Sequence, residues 1–285
     1  MNQLSEMDLQ YLKPHAGNHS IEQVILALEW SVPLSLEQLE SIRKNARPPE
    51  GTYPREEPQI SFNMNVDIFN GVPRPSQSQE LSGYVYSRFS TSGQIEKQIQ
   101  ISGKSCLFIA SDYLSWEAFQ DEVNSIFGPI LAQLPGGCGV DAIGLQYTDK
   151  FKWTGERADW TLSSIIKSGS RYAAEYVREC DDYCHSHLGY FENNSVSHNS
   201  GEKVEFRQLD NVNIDVVEQD GFITLVLLSS HKGIFGNPIC TNKEGFAKAV
   251  QSELRMSHKK VLSSLLEKPV LDLIGFQQLN SEVKV

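Results

Sequence analysis

The chain has 285 residues, 40% hydrophobic and 21% charged, a composition that can fill a core and excludes wholesale disorder. Its 36 acidic against 25 basic side chains leave a formal net charge of -11, and the densest basic stretches are only Arg43-Lys44 with Arg47, and Lys259-Lys260. A nucleic-acid backbone is therefore a poor default partner, and no stretch approaches the roughly 18 apolar residues of a membrane span or the run a signal peptide needs.

Residues 1–20 mix polar residues with Pro14, Gly17, His15 and His19 and read as a loosely held, flexible arm. IEQVILALEW at 21–30 reads as a strand that Val32-Pro33 ends. Ser35 followed by Gln38 is a capping box, in which each side chain serves the other's free backbone donor. Leu36, Leu39 and Ile42 then give a helix that stops before Pro48-Pro49. Ile60, Phe62, Met64, Val66 and Ile68 alternate with polar residues, predicting a strand with one buried and one wet face. Gly71, Pro73 and Pro75 read as a loop, after which 84–89, 95–101 and 106–110 predict an antiparallel meander. Trp116, Phe119, Val123, Ile126 and Phe127 form the stripe of a helix that Gly128-Pro129 should end or kink, and a strand follows over 140–149.

In the second half, residues 160–182 read as helical with an interruption at Gly169. Strands are expected at 185–191, 204–217 and 222–228, with a hairpin turn at Asp220-Gly221. Thr241 and Glu244 read as a second capping box, opening a helix through Phe246, Val250, Leu254, Val261 and Leu265 that Lys268-Pro269 stops. The fold class implied is α+β: antiparallel sheets with helices packed on one face, in two lobes. The division is an arm over 1–20, a β-α-β4-α-β lobe over 21–150, and a lobe of helix, meander and long helix over 151–285.

The phrases VILALEWSVPLSLEQLESI, SGYVYSRFSTSGQIEKQIQIS, SDYLSWEAFQDEV and VDAIGLQYTDKF, with the helix LRMSHKKVLSSLLEK around His258, carry a resemblance. The chain resembles a sporadically distributed family of bacterial proteins of similar length that has no established activity. Tyr113, Trp116 and Phe119, then Gly144 to Tyr147, match that family's pattern. Gln146 and Asp149 depart from it, standing where a basic residue and a nearby asparagine are common. The resemblance implies an α+β fold and a cytosolic bacterial protein, and it transfers no catalytic residue.

Five cysteines, Cys106, Cys138, Cys180, Cys184 and Cys240, are odd in number and irregular in spacing, as suits thiols in a reducing compartment. Cys180, Cys184, His185 and His187, with His198 further on, form the sharpest chemical cluster: thiolates and imidazoles this close could meet the tetrahedral demand of zinc. The bland alternative has Cys180 and Cys184 as small buried hydrophobes one helical turn apart. His258 lies on an apolar helix stripe, as a hydrogen-bonded core or interface histidine does. Trp153 and Trp160 flank the junction of the two halves, where aromatic residues anchor domain or partner contacts.

The sequence thus points first to a non-catalytic cytosolic binding protein with no resident cofactor. Its partner would be another protein, basic and encoded nearby, in an accessory bacterial system such as phage defence or toxin neutralisation. The alternatives are a metal-assisted hydrolase built on the Cys/His cluster, and a small-ligand site lined by Tyr84, Tyr86, Phe89 and Trp116.

Overall fold

A computed structural model describes residues 9–69, 72–180, 182–197, 203–240 and 245–276. In chain order the elements are β1 (Leu12–Pro14), β2 (Ile21–Trp30), α1 (Leu36–Asn45), β3 (Arg55–Phe69), β4 (Val72–Phe89), β5 (Ile95–Ser102), β6 (Ser105–Ala110), α2 (Trp116–Ala132) and β7 (Gly139–Trp153). They continue with α3 (Glu175–Arg178), β8 (Cys184–Ser197), β9 (Lys203–Gln219), β10 (Phe222–Cys240), α4 (Phe246–Leu265) and α5 (Lys268–Leu273). The chain is α+β and dominated by antiparallel sheet. No helix among the described residues is long and apolar enough to cross a membrane.

By its contacts the chain divides into two compact units, one of residues 26–142 and 237–244, the other of 1–25, 143–236 and 245–285. These units cut the chain differently from a boundary at residue 150, because the first 25 residues group with the second half.

In the unit of 26–142 the strands run β3-β4-β5-β6-β2. The capping box at the start of α1 is present in both directions: the Ser35 amide donates to Gln38 Oε1 (2.7 Å) and the Gln38 amide to Ser35 Oγ (3.3 Å). Helix α2 begins after Ser115, whose hydroxyl accepts from the Ala118 amide, and buries Trp116, Phe119, Val123 and Phe127. It continues through Pro129 to Ala132 rather than ending at Gly128, so the proline is accommodated within the last turns. The loop expected around Pro73 and Pro75 is strand instead: β4 pairs with β3 from Phe69↔Val72 inward. Two residues apart, the proline nitrogens face one edge of the strand, and a strand with a partner on one side only has an edge to spare for a missing donor. Strand β5 joins β4 only from Gly83 to Phe89. From Ile60↔Leu81 outward β3 and β4 therefore form a two-stranded ribbon, roughly 30 Å long at the usual rise per residue.

In the other unit the order is β7-β10-β9-β8, with β1 on β7. Residues 9–20 are thus held more firmly than their composition suggests: Leu12 is buried, and β1 pairs Leu12↔Trp153, Lys13↔Lys152 and Pro14↔Phe151. Where a helix over 160–182 was expected, the described residues form a 3-10 turn at Leu162–Ser164 and the four-residue α3. Tertiary bonds replace the helical ones: the Lys167 amide donates to the Leu265 carbonyl and the Glu267 amide to the Ile165 carbonyl, each at 2.8 Å, while Leu162, Ile165 and Ile166 plug the core. Asp220 and Gly221 make the expected tight hairpin between β9 and β10, both at positive φ (54° and 78°). The capping box at Thr241 and Glu244 lies outside the described residues. Helix α4 follows Gly245 and lays Val250, Leu254, Val261 and Leu265 on the sheet, and Pro269 stands in the first turn of α5.

Candidate functional site

Of the four residues proposed as zinc ligands, the Cys180 and Cys184 thiols are neighbours, but His185 and His187 do not join them. Cys184 opens β8 and points to the half-buried side, whereas His185 and His187, by the period-2 alternation of a strand, share positions on its exposed face. Nδ1 of His185 is engaged by the Asp215 carboxylate across the ladder at 2.5 Å. Cys180 lies in a turn after α3 rather than on a helix with Cys184, and its thiol donates to the carbonyls of Asp182 (3.6 Å) and Tyr183 (3.7 Å). Burial, then the neighbouring Cys180, pushes the Cys184 thiol up to about 11. Among the described residues no group of three or more His, Cys, Asp or Glu is gathered closely enough to hold a metal ion. His198 falls outside the described residues.

Trp153 and Trp160 are buried in the core of one unit. Their ring centroids are 6.1 Å apart, Tyr11 packs edge-on against Trp153, and the Trp153 indole donates to the Glu156 carbonyl at 2.9 Å. The Tyr84, Tyr86 and Trp116 side chains are likewise buried in the packing of their own unit, with the Tyr84 hydroxyl donating to Glu40.

The structure instead gathers a buried polar seam beneath α4. Asp149 on β7 accepts from Ser20 Oγ (2.7 Å), and its other oxygen lies 3.7 Å from His258 Nε2. His258 shares a hydrogen bond with Ser229 on β10 through Nδ1 (2.7 Å). Alongside, Asp210 binds His231 Nδ1 and accepts from Gln208, whose amide also reaches Ser257 on α4 (2.8 Å). Asn194 on β8 joins Gln208 to Glu253, carrying the seam toward the surface. Burial, with Ser20 opposing it, raises the Asp149 carboxyl to about 7. Burial and then the nearby His231 hold the His258 imidazole well below its usual range, so it is neutral.

Ser229, His258 and Asp149 have the chemical order of a proton relay, but each is buried and none lines the grooves described below. A nucleophile needs access to its substrate; this seam fastens the helix to the sheet. Sequence inspection placed His258 in the core and missed its partners. The missed signal is a polar residue at an inward position of an alternating strand: Asp149 after Leu145 and Tyr147, Ser229 and His231 after Leu225 and Leu227, and Gln208 and Asp210 between Phe206 and Val212.

Among the described residues, three surface grooves stand out. One of about 710 Å³, edged by Asn194, Phe206, Arg207 and Phe235, adjoins the outer end of the seam. A second, of about 580 Å³, lies on α1, where Glu56 already takes both Arg43 (2.6 Å) and Arg47 (3.1 Å). The third, of about 240 Å³, lies over β1 and β7. Apart from these, the β3–β4 ribbon exposes apolar surface: Phe62 is 73% exposed and Ile60 44%. The alternation in β3 was expected to bury this face, and at these two residues it does not.

Comparison with protein-family models and with characterised proteins gives no match. Among solved structures, one similar over 87% of this chain and 99% of its own is the di-domain ARO/CYC StfQ from the steffimycin biosynthetic pathway. The identity is 8% and the TM-score 0.18, values that carry no argument about fold or function.

Proposed function

We propose that the chain is a non-catalytic cytosolic binding protein that engages another protein through the β3–β4 ribbon. The observation that carries this reading is the exposure of Phe62 and Ile60 on a ribbon that, among the described residues, pairs with no third strand. Two-stranded ribbons are marginal in water, and a large aromatic side chain left in solvent stabilises a complex once a partner covers it. The excess of acidic side chains favours a basic partner, in the accessory bacterial setting that the family resemblance implies.

The test is co-purification from the native host of the wild type and of Phe62→Ser, with thermal unfolding of both. Capture of a neighbour-encoded product that Phe62→Ser loses at an unchanged unfolding midpoint supports the reading. A clean pull-down, or capture indifferent to the substitution, sinks it. Sedimentation showing that Phe62→Ser dissociates a homodimer would reassign the ribbon to self-association.

A further inference from the structure

The groove over β1 and β7 gathers positive charge in a chain that is acidic overall. On β1 Lys13 stands directly across from Lys152 of β7. One step on, the His15 amide donates to the Lys150 carbonyl at 3.0 Å, which places His15 beside Lys150 in the same ladder. Three lysines and His15 thus occupy two neighbouring cross-strand positions on one face, with Lys13 and Lys152 the directly opposed like charges, and all four line the groove. Like charges directly opposed across an antiparallel pair destabilise it, so this arrangement works against the strand pairing unless an anion sits between them.

The counter-charges present do not complete the site. Lys150 Nζ pairs with Glu22 at 2.9 Å, and Asp220 alone brings a carboxylate into the lining, against three lysines. Among the described residues neither Lys13 nor Lys152 forms an ion pair. The Lys152 ammonium is held 3.4 Å from the Phe222 ring centroid, which fixes its position without neutralising it. Thr224, whose hydroxyl donates to the Phe222 carbonyl at 3.5 Å, stands in the wall.

We propose that this groove binds the phosphoryl group of a small ligand. The chemistry is that of a compact, doubly charged oxyanion: lysines from two strands line the groove, and Thr224 stands in the same wall. The groove's volume of about 240 Å³ suits a phosphate or a small phosphate ester. Four basic side chains on one short ladder offer no extended track for a nucleic-acid strand. The site is independent of the ribbon and of the partner it would engage.

The experiment is calorimetric titration of the full chain at fixed ionic strength with inorganic phosphate and, separately, with ribose 5-phosphate; sodium chloride serves as the control. Saturable binding of either phosphate, weakened at least tenfold in Lys13→Gln and in Lys152→Gln and unchanged in Lys268→Gln, is expected. Tighter binding of the ester names a phosphorylated metabolite as the source, and equal binding names the free ion. Lys13→Glu guards against loss of fold: it should abolish binding while raising the thermal midpoint of the ligand-free protein, because it turns the cross-strand repulsion into attraction. Absence of saturable binding overturns the proposal, as do Lys13 and Lys152 variants that bind like the wild type. So does a Lys13→Glu protein whose midpoint falls.

Discussion

The imidazole of His258 lies flat on the phenol ring of Tyr147, with centroids 3.9 Å apart and planes within 15°. This stack, with Ser229 on one ring nitrogen and Asp149 facing the other, holds α4 on β7 and β10 around a neutral imidazole.

The seam makes a specific claim about pH. His258 has a folded pKa below its unfolded value, so its contribution is complete above about 6.5 and is lost as pH falls toward the folded pKa. Asp149 has a folded pKa raised to about 7, so its contribution is complete below the unfolded carboxylate range near 3.8 and is lost as pH rises to 7. Between these limits the folded pair and the unfolded pair each hold one proton, and the two slopes cancel. Denaturant unfolding between pH 4.5 and 6.5 should therefore show little net slope from the pair. Asp149→Asn, which keeps the acceptor for Ser20, removes one side of the balance. Its stability should fall with acidification by up to about 1.4 kcal/mol per pH unit relative to wild type. A variant that tracks the wild type across this range refutes the assignment.

Gly83 faces the Ile101 carbonyl so closely that a Cβ there would run into it, beside the register shift at Gln59/Ile60. Gly83→Ala should cost about 2–3 kcal/mol, since backbone rather than a movable side chain must yield. Gly93 has positive φ (82°) but nothing within 4 Å of its Cβ position. Gly93→Ala should cost only about 1 kcal/mol. Paired urea titrations check the order.

Asp220 and Gly221 both sit in the left-handed region, as the two-residue turn requires. Gly221→Ala should lower stability by about 1 kcal/mol or more. Asp220→Asn retains the turn within about 0.5 kcal/mol, and it removes the one carboxylate that lines the lysine groove. It should tighten phosphate binding in the same titration that tests Lys13.

The thiols should react in order. Burial raises the Cys106 thiol and, with Cys180 adding to it, the Cys184 thiol. Cys180 and Cys184 are partly exposed, whereas Cys106 is buried. Alkylation of the native protein at pH 8, read by peptide mapping, should label Cys180 first, Cys184 more slowly and Cys106 only after unfolding.

Local chemistry was the legible part of the fold. Ser35 with Gln38, and Asp220 with Gly221, act through backbone geometry within a few residues and were readable directly. Residues 160–182 were not, because the Ile165 carbonyl and the Lys167 amide bond to a segment about a hundred positions away, and no local propensity reports that. The zinc reading counted spacing along the chain and overlooked that a strand sends Cys184 and His185 to opposite faces. The lysine groove was hidden for a related reason: Lys13 and Lys152 are remote in sequence and became neighbours only through a three-residue strand in a stretch read as an arm.

That pairing also has a consequence for biosynthesis. The first strand leaves the ribosome well over a hundred residues before Phe151–Trp153, its ladder partners. At the usual pace of translation this leaves it without them for on the order of ten seconds. The meander of β3 to β6 needs only neighbours already made, so it can form meanwhile. The unit holding β1, however, cannot close until α4 has been synthesised. Throughout that interval the nascent N-terminal segment is a free β edge, and chaperones or a second nascent chain could reach it before its own partner does.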